Sequence, residues 1–307
     1  MVKENRKKPI LSNEISFIIV HLLPLMAIFT GATLFDWVVC ISLYFIRMFF
    51  VTAGYHRYFS HKTFKTSRWF QFFLAFMAQT SAQKGALWWA ANHRIHHKHS
   101  DTPKDPHSMK IYGFLYSHLG WIMGPDYKAT RYDLIKDMAK YRELRWLNKH
   151  YLVPPVALGI VVTMLGGYVN GGSLATMFTH GWSTLWVGFF ASTVFLYHGT
   201  FSINSLMHKI GRKRYESNDA SKNSFWLAML TMGEGWHNNH HYYQAAARQG
   251  FFWWEIDPSF YIIKAFEKLG LVWDVKGVPN HIKFSKNKEE ARELALKNQQ
   301  ADIPKAA

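Results

Sequence analysis

The feature that most constrains the fold of this chain is a set of long stretches without a charged side chain. No Asp, Glu, Lys or Arg occurs from Ile15 to Phe35 or from His150 to His208, and Arg47 is the one charged residue from Trp37 to Tyr55. A helix needs roughly 20 apolar residues to cross the hydrocarbon core of a bilayer. These stretches therefore predict membrane-spanning helices, with Arg47 close enough to a helix end to extend to the interface.

The stretch from His150 to His208 is long enough for two spans. The glycine-rich run from Gly166 to Gly172 predicts a turn that separates a span at Leu152 to Gly166 from another at Thr184 to Ile203. The sequence thus predicts four transmembrane helices in two hairpins. The apolar run from Trp69 to Gln83 is short and contains several polar side chains, so it favours an interfacial or re-entrant helix over a fifth span.

The basic residues lie to one side of the predicted spans. The chain has 36 Lys and Arg against 20 Asp and Glu, and a formal net charge of +16 first suggests nucleic-acid binding. Sixteen of the 36 lie between Tyr55 and His150, fifteen follow His208 and four precede the first span, whereas the predicted hairpin turns contain none. Since positively charged loops remain in the cytoplasm, we interpret the charge as a topology signal and exclude a nucleic-acid partner.

This distribution predicts a multi-pass integral membrane protein with both termini in the cytoplasm and no cleavable signal peptide. The expected fold class is all-α, with four transmembrane helices in two hairpins and a helical cytoplasmic cap that holds a di-metal site. The predicted parts are a cytoplasmic N-terminus (1–14), hairpin 1 (15–55), a cap segment (56–150), hairpin 2 (151–207), a second cap segment (208–282) and a polar, partly disordered tail (283–307).

The histidines form three clusters with metal-ligand spacing. The chain has 17 histidines but one cysteine, Cys40, which excludes an internal disulfide and a cysteine-based metal site. The clusters are one H-x4-H motif and two H-x2-H-H motifs, made of His56 and His61, of His93, His96 and His97, and of His237, His240 and His241. Residues i, i+3 and i+4 of a helix share a face, so each triplet directs three imidazoles to one point.

Eight imidazoles exceed the three or four that one zinc ion takes, so the clusters predict at least two metals. The H-E-x-x-H motif of zinc metalloproteases is missing from the sequence. Imidazole ligands suit iron as well as zinc, and spacing does not choose between them.

The residues around the clusters resemble those of the membrane fatty-acid desaturases, in particular the Δ9, stearoyl-CoA desaturase-like branch. The resemblance covers roughly residues 15–275 and is closest to bacterial and cyanobacterial members. It rests on Gly54 to His61, His93 to Lys98, Asp105-Pro106-His107, Ser117 to Trp121, Gly233 to His241 and the N-S-x-x-H motif from Asn204 to His208.

The resemblance implies a non-haem di-iron centre, with zinc as the replacement expected in an overexpressed preparation. The nine ligands that it implies are His56, His61, His93, His96, His97, His208, His237, His240 and His241, with Asn204 holding one metal through water. Glu234, Asp101 and Asp105 are candidates for orienting these ligands. No separate catalytic acid or base is assigned, and hydrogen-bonding roles are expected for His107 and His118.

The implied reaction uses O2 and two electrons to introduce a cis double bond, most simply at Δ9, into a saturated long-chain acyl group. Two acyl carriers remain open, because Ala91-Asn92 and Gly124 to Lys128 stand where the animal acyl-CoA enzymes of this family have charged pairs. We favour acyl-CoA, with Arg212, Lys213 and Arg214 as candidate contacts to an anionic head group, and keep a lipid-bound acyl chain as the alternative.

The electrons are expected from a separate protein, such as ferredoxin or cytochrome b5, because the chain has neither an H-P-G-G haem motif nor a cysteine cluster. Membrane lipid is the remaining expected partner. Trp88, Trp89, Trp253 and Trp254 are expected either to line an acyl tunnel or to anchor the protein at an interface. Two other hypotheses remain, namely another histidine-box oxygenase such as a hydroxylase, and a metal transporter or sensor.

Overall fold

The computed structural model describes residues 11–124 and 127–301, and these residues are mostly helical. The α-helices are α1 (Leu11–Leu22), α2 (Ala27–Thr30), α3 (Leu34–Phe50), α4 (Arg68–Gln79), α5 (Ala86–His99), α6 (Met109–Tyr112), α7 (Trp121–Met123), α8 (Lys136–Ala139), α9 (Arg142–Lys149), α10 (Val153–Gly171), α11 (Ser192–Ser205), α12 (Phe225–Leu230), α13 (His237–Tyr242), α14 (Pro258–Lys268), α15 (Asn280–Lys283) and α16 (Lys288–Ala301). Wider π-helical turns cover Val51–Ser60, Tyr116–Gly120 and Thr184–Ala191, and 3₁₀ turns cover Leu23–Met26, Tyr132–Leu134, Leu174–Thr176 and Leu206–His208.

One short antiparallel pair of strands qualifies the all-α prediction. Strand β1 (Lys65–Thr66) pairs with β2 (Val272–Trp273), with Lys65 opposite Trp273. The pair joins the start of the first cap segment to the end of the second. It therefore ties together two parts of the cap that lie about 200 residues apart in the chain.

Two helices in the described residues are long and apolar enough to cross a membrane. The first runs without interruption from Leu34 to Ser60 for 27 residues, and the second is α10 with 19 residues. The first begins at a capping box in which the Thr33 hydroxyl accepts from the Asp36 N–H and the Asp36 carboxylate accepts from the Thr33 N–H. Both coincide with predicted spans.

The other two predicted spans are helical but do not meet the same criterion of length and apolar composition. Ile15–Thr30 is a shorter apolar segment, and the helix from Thr184 to Ser205 includes polar side chains such as His198 and Ser202. The four-span arrangement therefore stays a prediction. Helix α4 occupies the run at Trp69 to Gln83, and its 12 residues are about 18 Å long, which is less than the hydrocarbon core.

The predicted turn at Gly166 to Gly172 is wrong for most of its length. Helix α10 continues through the glycines and ends at Gly171, and Gly172 follows with a left-handed φ of 70°. The glycines allow close packing, since a Cβ on Gly166 would lie 2.0 Å from Thr184 Oγ1 and one on Gly167 would lie 2.0 Å from the Met177 carbonyl oxygen. These glycines provide space for the neighbouring chain rather than conformational freedom.

Arg47 does not extend to an interface as the sequence suggested. Its side chain is buried between helices, where the guanidinium donates to the hydroxyls of Ser192 at 2.5 Å and Thr193 at 2.8 Å. Asp36 is likewise buried and accepts from the Thr184 hydroxyl. Asp36 and Arg47 thus bind hydroxyl groups of the fourth predicted span, which fixes the two hairpins side by side.

The largest apolar core lies beneath the histidine motifs. It contains the end of the Leu34–Ser60 helix, the inner faces of α4 and α5, and residues from α9 and α14, with Phe50, Phe59, Leu74, Leu87 and Leu147 among its members. Gly54 allows α4 to pack closely against this helix. A Cβ added at position 54 would lie only 3.2 Å from Ala78 Cβ. This packing holds the first and second histidine motifs against each other.

Candidate metal centre

Four helical segments position the nine histidines. His56 lies in the π-helical turn Val51–Ser60 and His61 follows it directly, while His208 ends the 3₁₀ turn after α11. Helix α5 carries His93, His96 and His97, and the short helix α13 carries His237, His240 and His241. The i, i+3, i+4 spacing predicted that each triplet would share one face, and both triplets are helical in the structure.

The structure brings these histidines together in two groups. His56, His61, His93, His97 and His240 form group A, and His96, His208, His237 and His241 form group B; within each group, one nitrogen per ring lies within 4.8 Å of all the others. The groups are adjacent, because His96 and His97 follow each other on α5 and His240 and His241 do so on α13.

The Nε2 atoms are the ones that converge. In group A, Nε2–Nε2 distances are 2.9 Å for His56 and His240, 2.9 Å for His61 and His93, and 3.0 Å for His97 and His240. In group B, His208 and His237 are 3.2 Å apart and His96 and His241 are 3.4 Å apart. Converging lone pairs with no acidic group between them form a donor set for a cation.

The environment keeps most of these rings neutral, which is the form that binds a metal. Burial and the neighbouring imidazoles hold the pKa values of His61, His93 and His97 well below the usual histidine range. The same two causes lower the pKa values of His237 and His240. An imidazole with a lowered pKa does not have to lose a proton before it coordinates.

Carboxylates contact the opposite nitrogen, Nδ1, of four of the histidines. The Nδ1–O distances are 2.5 Å from His56 to Glu234, 2.9 Å from His96 to Asp105, 2.6 Å from His241 to Asp219 and 3.5 Å from His208 to Asp101. A carboxylate that accepts from Nδ1–H leaves Nε2 as the lone-pair nitrogen and fixes the ring orientation. Both the converging Nε2 atoms and the carboxylates that orient their rings are therefore suited to a bound metal ion.

A buried arginine holds one of these carboxylates in place. Arg57 donates to Asp257 Oδ1 at 2.9 Å, to the Ala247 carbonyl at 2.7 Å and, at 3.4 Å, to Glu234. The two carboxylates lie close enough to balance the positive charge of Arg57. Glu234 is consequently fixed from two sides, by Arg57 and by His56.

A cavity of about 330 Å³ lies next to group A, between α1, α5 and α11. Its wall is largely apolar and aromatic and also includes His93, Asn92 and Asn204. The other lining residues are Ser16, Phe17, Val20, Ala82, Gln83, Lys84, Trp88, Trp89, His107, Trp121, Ile122, Met123, Tyr151, Leu152, Tyr197, Thr200 and Phe201. An elongated apolar molecule in this cavity would contact a histidine of group A.

Residues 33–271 match the family model described as fatty acid desaturase. The chain belongs to this family. It is 36% identical over 228 residues to an sn-1 stearoyl-lipid 9-desaturase of Anabaena variabilis, covering 74% of this chain and 78% of the relative. An acyl-CoA C20 Delta5-desaturase of Anemone leveillei is 34% identical over 282 residues, 91% of this chain and 83% of the relative.

A third relative of this desaturase is named as an acetylenase. It is the hex-5-enoyl-[acyl-carrier protein] acetylenase of Moorena producens, 34% identical over 280 residues and covering 85% of each chain. Membership of the family confirms the resemblance and identifies the chain as an oxidoreductase that acts on fatty acyl groups. It also disfavours the transporter hypothesis.

Asp105 and His107, which the sequence also selected, lie beside His96. Asp105 accepts from the N–H groups of Asp101 and His107 and lies with His96 and His107 in a further cluster of possible ligands. Burial and His96 lower the pKa of His107 to about 3.

His118 and Asn204 make contacts outside this cluster. His118 is hydrogen bonded to Ser205 and His198, at 2.9 and 3.0 Å. The Asn204 carbonyl accepts from the Ser117 hydroxyl.

Asp219 is a site residue that the sequence reasoning missed. It belongs to the irregular segment 214–224, where no periodicity or motif connects it to His241. Two bonds from Ser221, one from its N–H and one from its hydroxyl, hold the same carboxylate. A search of loop carboxylates between His208 and the second H-x2-H-H motif would have included Asp219, although only the fold shows which histidine it meets.

Two of the three basic residues proposed for head-group binding make contacts within the protein. Arg214 pairs with Glu255 at 2.6 Å, and Lys213 donates to the carbonyls of Ser217 and Asp219. Trp88 and Trp89 line the cavity, as one of the two expectations had it. Trp253 and Trp254 are exposed and do not line it.

Proposed function

We propose that this desaturase uses O2 to introduce a cis Δ9 double bond into a saturated long-chain acyl group, with one iron ion in group A and one in group B. The observation that carries the proposal is the pair of adjacent all-histidine groups beside an apolar cavity that reaches His93. The names of the cyanobacterial relatives, 9-desaturases of stearoyl-lipid, support Δ9.

Bound iron would activate O2 for the oxidation, because an acid or base in the protein cannot break an unactivated C–H bond. Overall, a –CH2–CH2– pair, O2, two electrons and two protons give –CH=CH– and two molecules of water. We propose that all nine histidines are ligands through Nε2 and that Asn204 acts through water. Glu234, Asp105, Asp101 and Asp219 would orient His56, His96, His208 and His241.

The protein's own contribution to the reaction is positioning. The cavity wall holds an acyl chain away from water, and its depth along α5 determines which carbons lie beside His93. Gln83 and Thr200 face this cavity and satisfy each other, because Gln83 Nε2 donates to Thr200 Oγ1 at 2.9 Å. A polar pair that is satisfied internally adds little desolvation cost when an apolar chain enters.

For the acyl carrier we propose a glycerolipid, in place of the acyl-CoA that the sequence favoured. Glu255 balances the charge of Arg214, which leaves less free positive charge in the basic triplet for the phosphates of CoA. Helix α1 forms one wall of the cavity with Phe17 and Val20 and exposes Ile15, Ile18 and Ile19 on its other side. Such a wall suits access from a bilayer.

We further propose that the chain crosses the membrane four times, with its termini and the histidines on the cytoplasmic side. The positions of the basic residues support this orientation. The same side would give a cytoplasmic electron-donor protein access to the cap.

Product analysis in a host without its own desaturase tests the reaction. We expect the wild-type chain to yield monounsaturated acyl groups with the double bond at C9, located by mass spectrometry. His97→Ala and His240→Ala should abolish this product at unchanged protein level. His99→Ala is the matched control, since His99 lies on the same helix outside both groups and should retain the product. Full activity of His97→Ala would refute the metal assignment, and an alcohol product would indicate a hydroxylase.

The carrier is tested with the purified protein in two parallel assays. Stearoyl-CoA is the substrate in one assay and a distearoyl glycerolipid in vesicles is the substrate in the other, with the same electron donor. We expect the alkene on the glycerolipid. Product from stearoyl-CoA alone would overturn the lipid proposal and leave the desaturase proposal intact.

A further inference from the structure

A cluster of exposed aromatic rings lies on the cap, apart from the acyl cavity. We call Phe252, Trp253, Trp254 and Phe284 the aromatic patch. Trp253 is 79% exposed and Phe284 is 63% exposed. The ring of Phe252 stacks on Trp254 at 4.7 Å and lies 6.1 Å from the ring of Phe284. Exposed aromatic side chains in contact with one another are typical of protein interfaces.

Three cationic side chains surround the aromatic patch and contact Phe252. The Arg214 guanidinium lies 4.5 Å from the Phe252 ring and the Lys283 ammonium lies 4.8 Å from it. Arg248 donates to the Phe252 carbonyl at 2.8 Å. Of these three, Arg214 is also paired with a carboxylate, that of Glu255. Since Glu255 balances the charge of Arg214, Lys283 and Arg248 give the rim its net positive charge. The patch therefore presents apolar area within a basic rim.

A chain of hydrogen bonds connects the aromatic patch with group A. The Phe252 N–H donates to Glu255 Oε2 at 3.2 Å, and the same oxygen accepts from Asn239 Nδ2 at 2.9 Å. Asn239 precedes His240 in the chain, and His240 Nε2 contacts both His56 and His97. Glu255 is buried, so this connection is shielded from solvent.

We propose that the aromatic patch and its basic rim are the docking site of an acidic one-electron donor protein, an inference that rests on the proposed function. Desaturation consumes two electrons, and a one-electron carrier has to bind twice per double bond and leave each time. A basic rim accelerates encounters with an acidic partner, and the exposed tryptophans supply contact area. Glu255 and Asn239 connect the bound partner to His240.

The surroundings of the patch favour a protein partner over a lipid surface. The rings that pack beneath it, including Tyr215, Tyr242 and Phe251, belong to a separate apolar cluster whose members all come from the chain after His208. The patch therefore rests on the cap's own core. Insertion of Trp253 into a membrane is the alternative, and it predicts that Trp253→Ala leaves donor affinity unchanged.

The first test measures donor binding, which does not depend on turnover. Binding of a [2Fe–2S] ferredoxin and of the soluble cytochrome b5 domain to the desaturase in nanodiscs would be measured at several salt concentrations. For the donor that binds, we expect Trp253→Ala and Lys283→Glu each to raise Kd about 10-fold or more. Trp226→Ala is the matched control, since Trp226 is also 79% exposed, and Arg142→Glu controls for charge.

The second test separates electron delivery from chemistry. Each protein is reduced with dithionite without air, the excess dithionite is removed and O2 is then added. Under these conditions Trp253→Ala and Lys283→Glu should form as much alkene as the wild type, whereas their donor-driven rates fall about 10-fold. Wild-type protein that forms no alkene either with a donor protein or after chemical reduction and addition of O2 would refute the proposed function rather than the docking site. Unchanged donor affinity in both variants, or no binding of either donor to the wild type, would overturn the docking proposal.

Discussion

At the scale of single residues, the two nitrogens of the imidazole rings have different roles. Carboxylates contact Nδ1 of four histidines, while the Nε2 atoms converge. The spacing of the motifs was enough to select His56, His61 and the two triplets, because helical periodicity is a local property. It could not select Asp219, whose partner His241 is brought to it by tertiary packing.

Asp219→Asn should weaken metal binding without unfolding the protein. The asparagine keeps the shape of the side chain but removes the charge that stabilises the Nδ1–H of His241, which we expect to lower metal affinity or activity about 10- to 100-fold. Metal content and desaturation rate of the purified variant are the measurements. Asp133→Asn, which alters an exposed pair with Arg131, should change neither. Equal metal content and rate in both variants would remove Asp219 from the site.

Arg57→Met should strongly destabilise the folded protein. The side chain is 1% exposed and contacts two buried carboxylates, Glu234 and Asp257. Removing one partner of a buried ionic network leaves uncompensated charge, at a cost of about 3–5 kcal/mol.

The stability of the arginine variants is measured by thermal unfolding in detergent. Arg68→Met is the matched control, because Arg68 pairs with Glu143 at the surface and exposed pairs contribute little. The melting temperature should fall clearly for Arg57→Met and little for Arg68→Met. Equal melting temperatures would show that the buried network does not support the fold.

At the scale of the helices, glycine decides how closely elements approach. The run from Gly166 to Gly172 predicted a turn because glycine tolerates unusual backbone angles, yet only Gly172 uses that freedom. Gly166 and Gly167 lie within α10 and admit Thr184 and Met177. A sequence pattern does not distinguish these two uses of glycine, since the second depends on what packs opposite.

Gly167→Ala should destabilise the second hairpin. The new Cβ would meet the Met177 carbonyl oxygen, a backbone atom that cannot move aside as a flexible side chain would. Overpacking of this kind costs about 1–3 kcal/mol, so the melting temperature in detergent should fall. Gly277→Ala is the matched control, because the space around Gly277 is open. A melting temperature of Gly167→Ala equal to that of the control would contradict the close packing.

At the scale of the whole molecule, the distribution of charged residues was the most informative part of the sequence. The sequence predicted the helical content, and charge-free stretches located the two long apolar helices. The internal partners of Arg47 and Asp36 could not be predicted, since each meets a hydroxyl more than 100 residues away. Charged residues in an apolar helix thus indicated helix pairing rather than a helix end.

The orientation of the molecule can be tested with single cysteines. The native Cys40 is fully buried, so an introduced cysteine is the reactive one. In intact spheroplasts, a membrane-impermeant maleimide should label Leu174→Cys, in the turn of hairpin 2, and should label Lys297→Cys only after permeabilisation. Labelling of both residues from the same side before permeabilisation would contradict the four-span arrangement.

The most direct test of the central claim is the metal content of the purified protein. Protein from iron-supplied cells should contain about two iron ions per chain, one for each histidine group. His61→Ala, in group A, and His237→Ala, in group B, should each lose about one of the two, and neither variant should form the alkene. Wild-type iron content in both variants, or alkene from protein that holds no iron, would contradict the claim that these histidines bind the irons that desaturate the acyl chain.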